Sequence, residues 1–129
     1  MSKDISLGQL ELEVLKTVWR MPGGSVHEVT DAILAQKEYA RTTILTVIQR
    51  LHKKGFLSRE KANGSFSYYP TETKEDVMGN LAKKFVQTTF EGSASSLIQH
   101  LAATTLSTNE LAELRDVINK AIESEEDGK

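Results

Sequence analysis

The 129-residue sequence predicts a mostly α-helical protein with one small β-hairpin. Three observations predict it. Apolar residues recur at helical spacing through most of the chain. The dipeptide Asn63-Gly64, set between two short runs that read as strands, predicts a single tight hairpin. Breakers at Met21-Pro22-Gly23-Gly24, Gly55, Pro70 and Gly92 cut the chain into short elements.

The first helix is expected over Leu7 to Arg20. Leu7, Leu10, Val14, Leu15, Val18 and Trp19 fall on one face, and Met21 to Gly24 stop it. Ser25 suits an N-cap, and Glu28 three residues on completes a capping-box pattern. The second helix then runs to about Lys37, with Val26, Val29, Ile33 and Leu34 inward. Glu38-Tyr39-Ala40 makes a short connection. A third helix is expected from about Thr42 to Lys54, because Ile44, Val47, Ile48 and Leu51 form one buried stripe. Gly55 ends it as a C′ residue. Phe56 to Arg59 reads as a strand, and Phe66 to Tyr69 as its return, closed by Pro70.

The remainder reads as helical. Thr73 to about Phe90 places Val77, Met78, Leu81, Phe85 and Phe90 on one side, and Glu91-Gly92-Ser93 breaks it. Ser95 to Ala103 forms a short helix with Leu97, Ile98 and Leu101. Ser107 caps a last helix, with Glu110 again completing a capping box. Its stripe is Leu111, Leu114, Ile118 and Ile122, and Ser124 to Lys129 read as a frayed tail.

Helix, turn, helix and then a hairpin is the winged form of the helix-turn-helix. The expected organisation is a winged-helix DNA-binding head over residues 1–72 and a C-terminal helical dimerisation arm over 73–129. The arm's short amphipathic helices have too little sequence to enclose a core of their own. Burying their faces against a second copy is the economical solution, and a C2 homodimer is the commonest such assembly. Leu81, Phe85, Leu97, Leu101, Leu111, Leu114 and Ile118 are the candidate dimer contacts.

Composition narrows the function. The chain is 39% hydrophobic and 26% charged, which is not the composition of a disordered protein. It contains no Cys, which excludes disulfides, thiolate metal sites and cysteine nucleophiles. No apolar run approaches the roughly 20 residues of a membrane span, and Met1-Ser2-Lys3-Asp4 lacks the apolar core of a signal peptide. A soluble cytoplasmic protein without membrane insertion is expected. Glu11 and Glu13 project differently from a helix, and no His stands at useful spacing from a Ser or an acid. An enzyme is therefore not expected, nor a cofactor or metal. His27, His52 and His100 are too scattered to suggest a metal site.

Net charge is −2, but its distribution matters more. From Arg41 to Lys61 six basic residues face the single Glu60, which makes that segment +5. From Ser107 to Lys129 seven acids outnumber three bases, which makes the tail −4. A near-neutral chain can carry a focused positive surface.

The third helix has the chemistry of a DNA reader. Opposite its buried stripe lie Thr42, Thr46, Gln49 and Lys53. Arg41 precedes them, and Leu45 and Arg50 flank them. Gln pairs with adenine, Thr serves base or phosphate, and Leu45 suits a thymine methyl. Arg41, Arg50, Lys53 and Lys54 suit phosphates. A merely solvated helix face is the alternative, yet adjacent Thr residues and a Leu are poor choices for one. On the hairpin, Lys61 and the backbone near Asn63-Gly64-Ser65 suit phosphate contact. Edge protection by the charges of Arg59 and Lys61 is the alternative there.

At this point the chain resembles the BlaI/MecI/CopY family of bacterial repressors over nearly its whole length. The segments that carry the resemblance begin with Leu7-Gly-Gln-Leu-Glu-Leu-Glu-Val-Leu and Trp19. Val26-His-Glu-Val follows, and then the run from Thr42 to Leu57. Phe66-Ser-Tyr-Tyr-Pro and the late Leu111-Ala-Glu-Leu-Arg complete the set. The resemblance implies a winged-helix domain, a helical dimerisation domain and binding to palindromic double-stranded operators. Control of a resistance or stress operon follows from it. It also implies that positions matching Thr42, Thr43 and Thr46 touch DNA. Thr42 and Leu45 stand where family members carry Lys and Arg, so base preference is expected to differ.

Two features bear on how repression ends. In the penicillinase-repressor branch a membrane metalloprotease system triggers cleavage at an Asn-Phe bond in the arm. The matching positions here are His100 and Leu101, which departs from that pair. In the copper branch a C-terminal Cys cluster senses metal, and this chain has no Cys. The competing readings are a winged-helix module that docks another protein, and a repressor released by a small molecule held between head and arm.

Overall fold

A computed structural model describes residues 7–127. Met1 to Asp4, and the last two residues of the expected tail, lie outside the described residues. The elements are α1 (Gln9–Arg20), α2 (Val26–Leu34), α3 (Arg41–Lys54), β1 (Leu57–Ala62), β2 (Ser65–Pro70), α4 (Lys74–Thr89), α5 (Ala94–Thr104) and α6 (Thr108–Asp127). They fall into two compact units, Met1–Ala82 and Lys83–Lys129.

The first unit is a three-helix head with a hairpin. Val14, Leu15 and Val18 of α1, Val29 and Ile33 of α2, and Ile44, Val47, Ile48 and Leu51 of α3 are buried together. Phe56, Leu57, Tyr68 and Val77 close this core. Each helix contributes the stripe that its sequence spacing predicts.

Local chemistry sets the ends of these elements. Ser25 Oγ accepts from the N–H of Glu28 at 3.1 Å, and the Ser25 N–H donates to Glu28 Oε1 at 3.0 Å. That is a complete capping box, and α2 starts where it dictates. α2 stops at Leu34, three residues before the expected end. Beyond Leu34 no apolar residue extends the stripe, so packing gives the helix no reason to continue. The Ile33 carbonyl instead accepts from both Gln36 and Lys37 at 3.1 Å.

α3 ends in a Schellman motif. Gly55 takes φ +92°, its N–H donates to the His52 carbonyl at 3.1 Å, and the Phe56 N–H reaches the Leu51 carbonyl at 3.0 Å. Leu51 and Phe56 are both buried, the apolar contact that accompanies this cap.

The hairpin is longer than the alternation alone suggests. Its antiparallel register runs from Leu57↔Pro70 to Ala62↔Ser65. Asn63 and Gly64 take φ of 54° and 82°, the two positive values of a type I′ turn. Such a turn needs only two residues, so pairing continues up to it. The stretch before α2 does more than break a helix. The Gly23 N–H donates to the Tyr68 carbonyl at 2.8 Å, and the Tyr68 N–H to the Gly24 carbonyl at 3.0 Å. Ser25 forms an isolated antiparallel bridge with Ser67. This short segment lies beside β2 and anchors the hairpin to the helices.

The beginning of α4 belongs to the head. Val77 is buried in its core, and Leu81 packs half-buried against it. The indole Nε1–H of Trp19 donates to the Glu72 carbonyl at 3.1 Å and ties this junction to α1. Leu81, expected among the dimer contacts, is thus placed with the head. The division falls within α4, after Ala82, because one amphipathic stripe serves the head first and changes use further along.

In the second unit, Glu91 and Gly92 at φ 52° and 87° separate α4 from α5. Ser93 caps α5 by accepting from the Ser96 N–H at 3.1 Å. Ser107 and Glu110 form the expected reciprocal cap of α6, at 2.9 and 3.2 Å. α6 reaches Asp127, further than the expected fraying at Ser124, because the Glu-rich end keeps good helix propensity.

Candidate nucleic-acid interface

α3 sorts its residues cleanly. Ile44, Val47, Ile48 and Leu51 face the core, while Arg41, Thr42, Thr43, Thr46, Gln49, Arg50 and Lys53 are exposed, and Leu45 is half-buried beside them. The helix is held by packing from Ile44 to Leu51, so its outer face is presented by a fixed scaffold. The Thr46 hydroxyl donates to the Thr42 carbonyl at 2.8 Å. Its proton is thereby used within the helix. The oxygen is left as an acceptor and the methyl is turned to a fixed side, which suits a base amino group and a thymine methyl.

Two cations of the sequence-predicted set are engaged elsewhere. The Arg41 guanidinium pairs with the Asp31 carboxylate of α2. Both side chains are exposed, so the pair is weak and open to exchange with a phosphate. Lys54 is different. Its ammonium lies 2.9 Å from Glu11 Oε2 and 3.2 Å from Glu11 Oε1. The carboxylate is buried, and it also accepts from the Gly8 N–H at 3.0 Å. Burial raises the Glu11 pKa, but the Gly8 N–H, Lys54 and the field of Arg50 together hold it below the ordinary carboxylate value.

Glu13, two residues on, serves the other end of the helix-turn-helix. It pairs with Lys37 and accepts from the Tyr39 hydroxyl at 3.3 Å, both in the connection before α3. The Lys37 hydrogen bond holds its pKa below the ordinary value.

On the hairpin, the Arg59 guanidinium lies 4.1 Å from the centre of the Phe66 ring, and Lys61 Nζ lies 5.8 Å from it. Lys61 and Phe66 are direct cross-strand partners. The ring supports two cations on one face of the wing, by attraction of the ring quadrupole for positive charge. Ser65 is exposed at the turn. Arg59 was the less obvious of these cations in sequence, yet the turn at Asn63-Gly64 fixes the register that brings it to Phe66.

One feature of the face was not evident in the sequence. Gly8, Gln9 and Leu10, at the start of α1, join Thr42, Thr43, Thr46 and Arg50 in lining an open groove along α3.

A family model described as penicillinase repressor matches residues 7–120. The chain belongs to the penicillinase repressor family. As a member it is a transcriptional regulator and not an enzyme. The repressor is similar to the methicillin resistance regulatory protein MecI of Staphylococcus aureus strain N315, with 32% identity over 120 residues, covering 92% of this chain and 98% of that protein. Its fold matches the solution structure of the DNA-binding domain of the repressor BlaI, with TM-score 0.53 and 32% identity, over 59% of this chain and 93% of that one. It also matches the monomeric form of Bacillus licheniformis BlaI in complex with the blaP half-operator. There the TM-score is 0.50 and the identity 32%, over 58% of this chain and 93% of that one.

The second unit of the repressor differs from the head in having no buried residue in α5 or α6. Phe85, Leu111, Val117, Ile118 and Ile122 are exposed, and Leu97, Leu101 and Leu114 are half-buried. The Phe85 and Phe90 rings meet edge-on at 5.6 Å, and Phe90 meets the His100 ring at 5.5 Å. The His100–Leu101 peptide lies inside α5. The His100 carbonyl accepts from the Thr104 hydroxyl at 2.7 Å, and the Leu101 carbonyl from the N–H groups of Thr105 and Leu106 at 3.0 Å. Among the described residues no helix is long and apolar enough to cross a membrane.

Proposed function

We propose that this repressor acts as a homodimer on a palindromic double-stranded operator, in the cytoplasm, and controls a resistance or stress operon. The observation that carries the reading is the outer face of α3. Thr42, Thr43, Thr46, Gln49, Arg50 and Lys53 stand exposed on a helix whose opposite stripe is fully packed. Gln49, Thr46 and Leu45 read base edges in the major groove, while Arg41, Arg50 and Lys53 meet phosphates. Lys61, Arg59 and Ser65 carry the contact onto the backbone beside the groove. Arg41 exchanges Asp31 for a phosphate on binding. The operator complex of the B. licheniformis relative supports this reading.

The second copy is supported by the arm. Phe85, Leu97, Leu101, Leu111, Leu114 and Ile118 form apolar faces with no buried partner within the unit. Two-fold symmetry of the protein then matches a palindrome in the DNA. A membrane metalloprotease sensor system is the proposed partner in release, acting at His100–Leu101. Proteases cut extended backbone, so α5 must melt locally before that bond is reached.

A gel-shift titration of the full chain against the DNA upstream of its own gene tests the reading. Saturable binding that survives competitor DNA is expected. Equal affinity for that fragment and for competitor DNA would overturn it.

A further inference from the structure

We propose that Glu11 is a positioning residue for DNA recognition, acting through Lys54 to fix the setting of α3 against α1. This rests on the DNA-reading role of α3 proposed above. It removes Lys54 from the phosphate contacts that its place in a basic segment suggests.

The argument begins with the cost of the pair. The Glu11 side chain retains 9% exposure and that of Lys54 23%, so both charges have given up much of their water. A buried pair of this kind is weak as a source of stability, since desolvation offsets its Coulombic attraction. What it supplies is geometry, because any displacement that parts the charges loses the attraction that offsets their desolvation.

The two ends are also well chosen. Glu11 lies in the first turn of α1 and accepts from the Gly8 N–H at 3.0 Å, where the helix dipole favours a negative charge. Lys54 lies in the last turn of α3, where the dipole favours a positive one. The ammonium touches both carboxylate oxygens, at 2.9 and 3.2 Å. The contact therefore locks the end of the reading helix to the start of α1. The same stretch of α1, Gly8 to Glu11, lines the groove that holds Thr42, Thr43, Thr46 and Arg50. Loosening the pair shifts the reading residues relative to the bases without removing any group that touches DNA.

The test compares full-length wild type with Lys54→Met, Lys54→Arg, Glu11→Gln and Lys53→Ala. Duplexes are selected from a random-sequence library with the wild type. Affinity for the winning duplex and for unselected duplex is then measured over a range of salt. Lys54→Met and Glu11→Gln are expected to lower the ratio of the two affinities about tenfold, the scale of one weakened base contact. Their salt slope stays at the wild-type value. Lys54→Arg restores the ratio, which loss of stability alone does not explain. Lys53→Ala flattens the salt slope by about 0.9, the value for one phosphate.

A flattened slope in Lys54→Met would make Lys54 a phosphate contact and overturn the inference. So would a ratio unchanged in both Lys54→Met and Glu11→Gln, with the DNA-reading role left standing. A wild type that enriches no sequence would overturn that role and this inference together.

Discussion

The ring of Tyr69 covers Gly23 at the place where any other residue would carry its Cβ, which would meet Tyr69 Oη at 3.2 Å and Cε1 at 3.3 Å. Gly23 also takes φ +86°, and its N–H anchors β2 through Tyr68. The wing is therefore tied to the helices through a position that only Gly fills without strain. Gly23→Ala is expected to lose about 1–3 kcal/mol of stability. Gly64, at φ +82° with open space around it, is the control. Gly64→Ala carries the backbone strain alone and loses less. Urea denaturation of both variants reads the difference, and equal losses would show that the Tyr69 contact costs nothing.

Thr46 uses its hydroxyl proton on the Thr42 carbonyl and keeps its oxygen and methyl for a partner. If it reads a base edge, Thr46→Ala weakens specific binding by about 1–2 kcal/mol. Affinity for unselected DNA changes little, because no phosphate contact is lost. Fluorescence anisotropy with both duplexes measures the two terms, and an unchanged specific affinity would remove Thr46 from the reading face.

Much of this site is legible in the sequence, and the illegible parts share a cause. Periodicity alone separates Ile44, Val47, Ile48 and Leu51 from Thr42, Thr46, Gln49 and Lys53, because a helix's two faces are fixed by its own spacing. Ser25 with Glu28, Gly55, and Asn63 with Gly64 act within a few residues, so their motifs suffice. Glu11 and Lys54 are 43 residues apart, and no local pattern reports their contact. The pairing of Gly23 and Ser25 with β2 is hidden in the same way, behind residues that read as mere breakers. Val77 and Leu81 are a third case of it. Their stripe announces burial but does not say in which core.

Glu11 gives stability a dependence on acid. Its folded pKa lies below the ordinary 4.5, with burial opposing the Gly8 hydrogen bond and Lys54. A group depressed in this way contributes stability that is fully present above its unfolded pKa. That contribution is lost as pH falls through the folded value. Wild type should therefore weaken progressively below about pH 4.5 as this carboxylate takes up a proton. Glu11→Gln should be less stable at neutral pH by roughly 2 kcal/mol, since its charge-assisted contact with the partly buried Lys54 is lost. Its stability should also fall less steeply in acid. Chemical denaturation at a series of pH values compares the two curves, and parallel acid limbs would mean that Glu11 is not the group responsible.

The arm presents the opposite case, in which apolar groups lack cover. Leu114 is half-buried on α6, and Ile118, one turn on, is 43% exposed. Neither α5 nor α6 buries a residue fully. An apolar stripe left in water costs about 25 cal/mol for each Å² that a partner copy would cover. Leu114→Asp places a charge at the centre of the proposed interface, where it has no counter-charge and loses its water. Leu114 is not among the residues of the head's core, so the head's fold and its contacts with a half-site should survive. Sedimentation is expected to show the variant as a monomer where the wild type is a dimer. Affinity for a full palindrome should fall towards that for one half, because the two heads no longer bind as a linked pair. A variant that sediments as a dimer would move the interface away from Leu114.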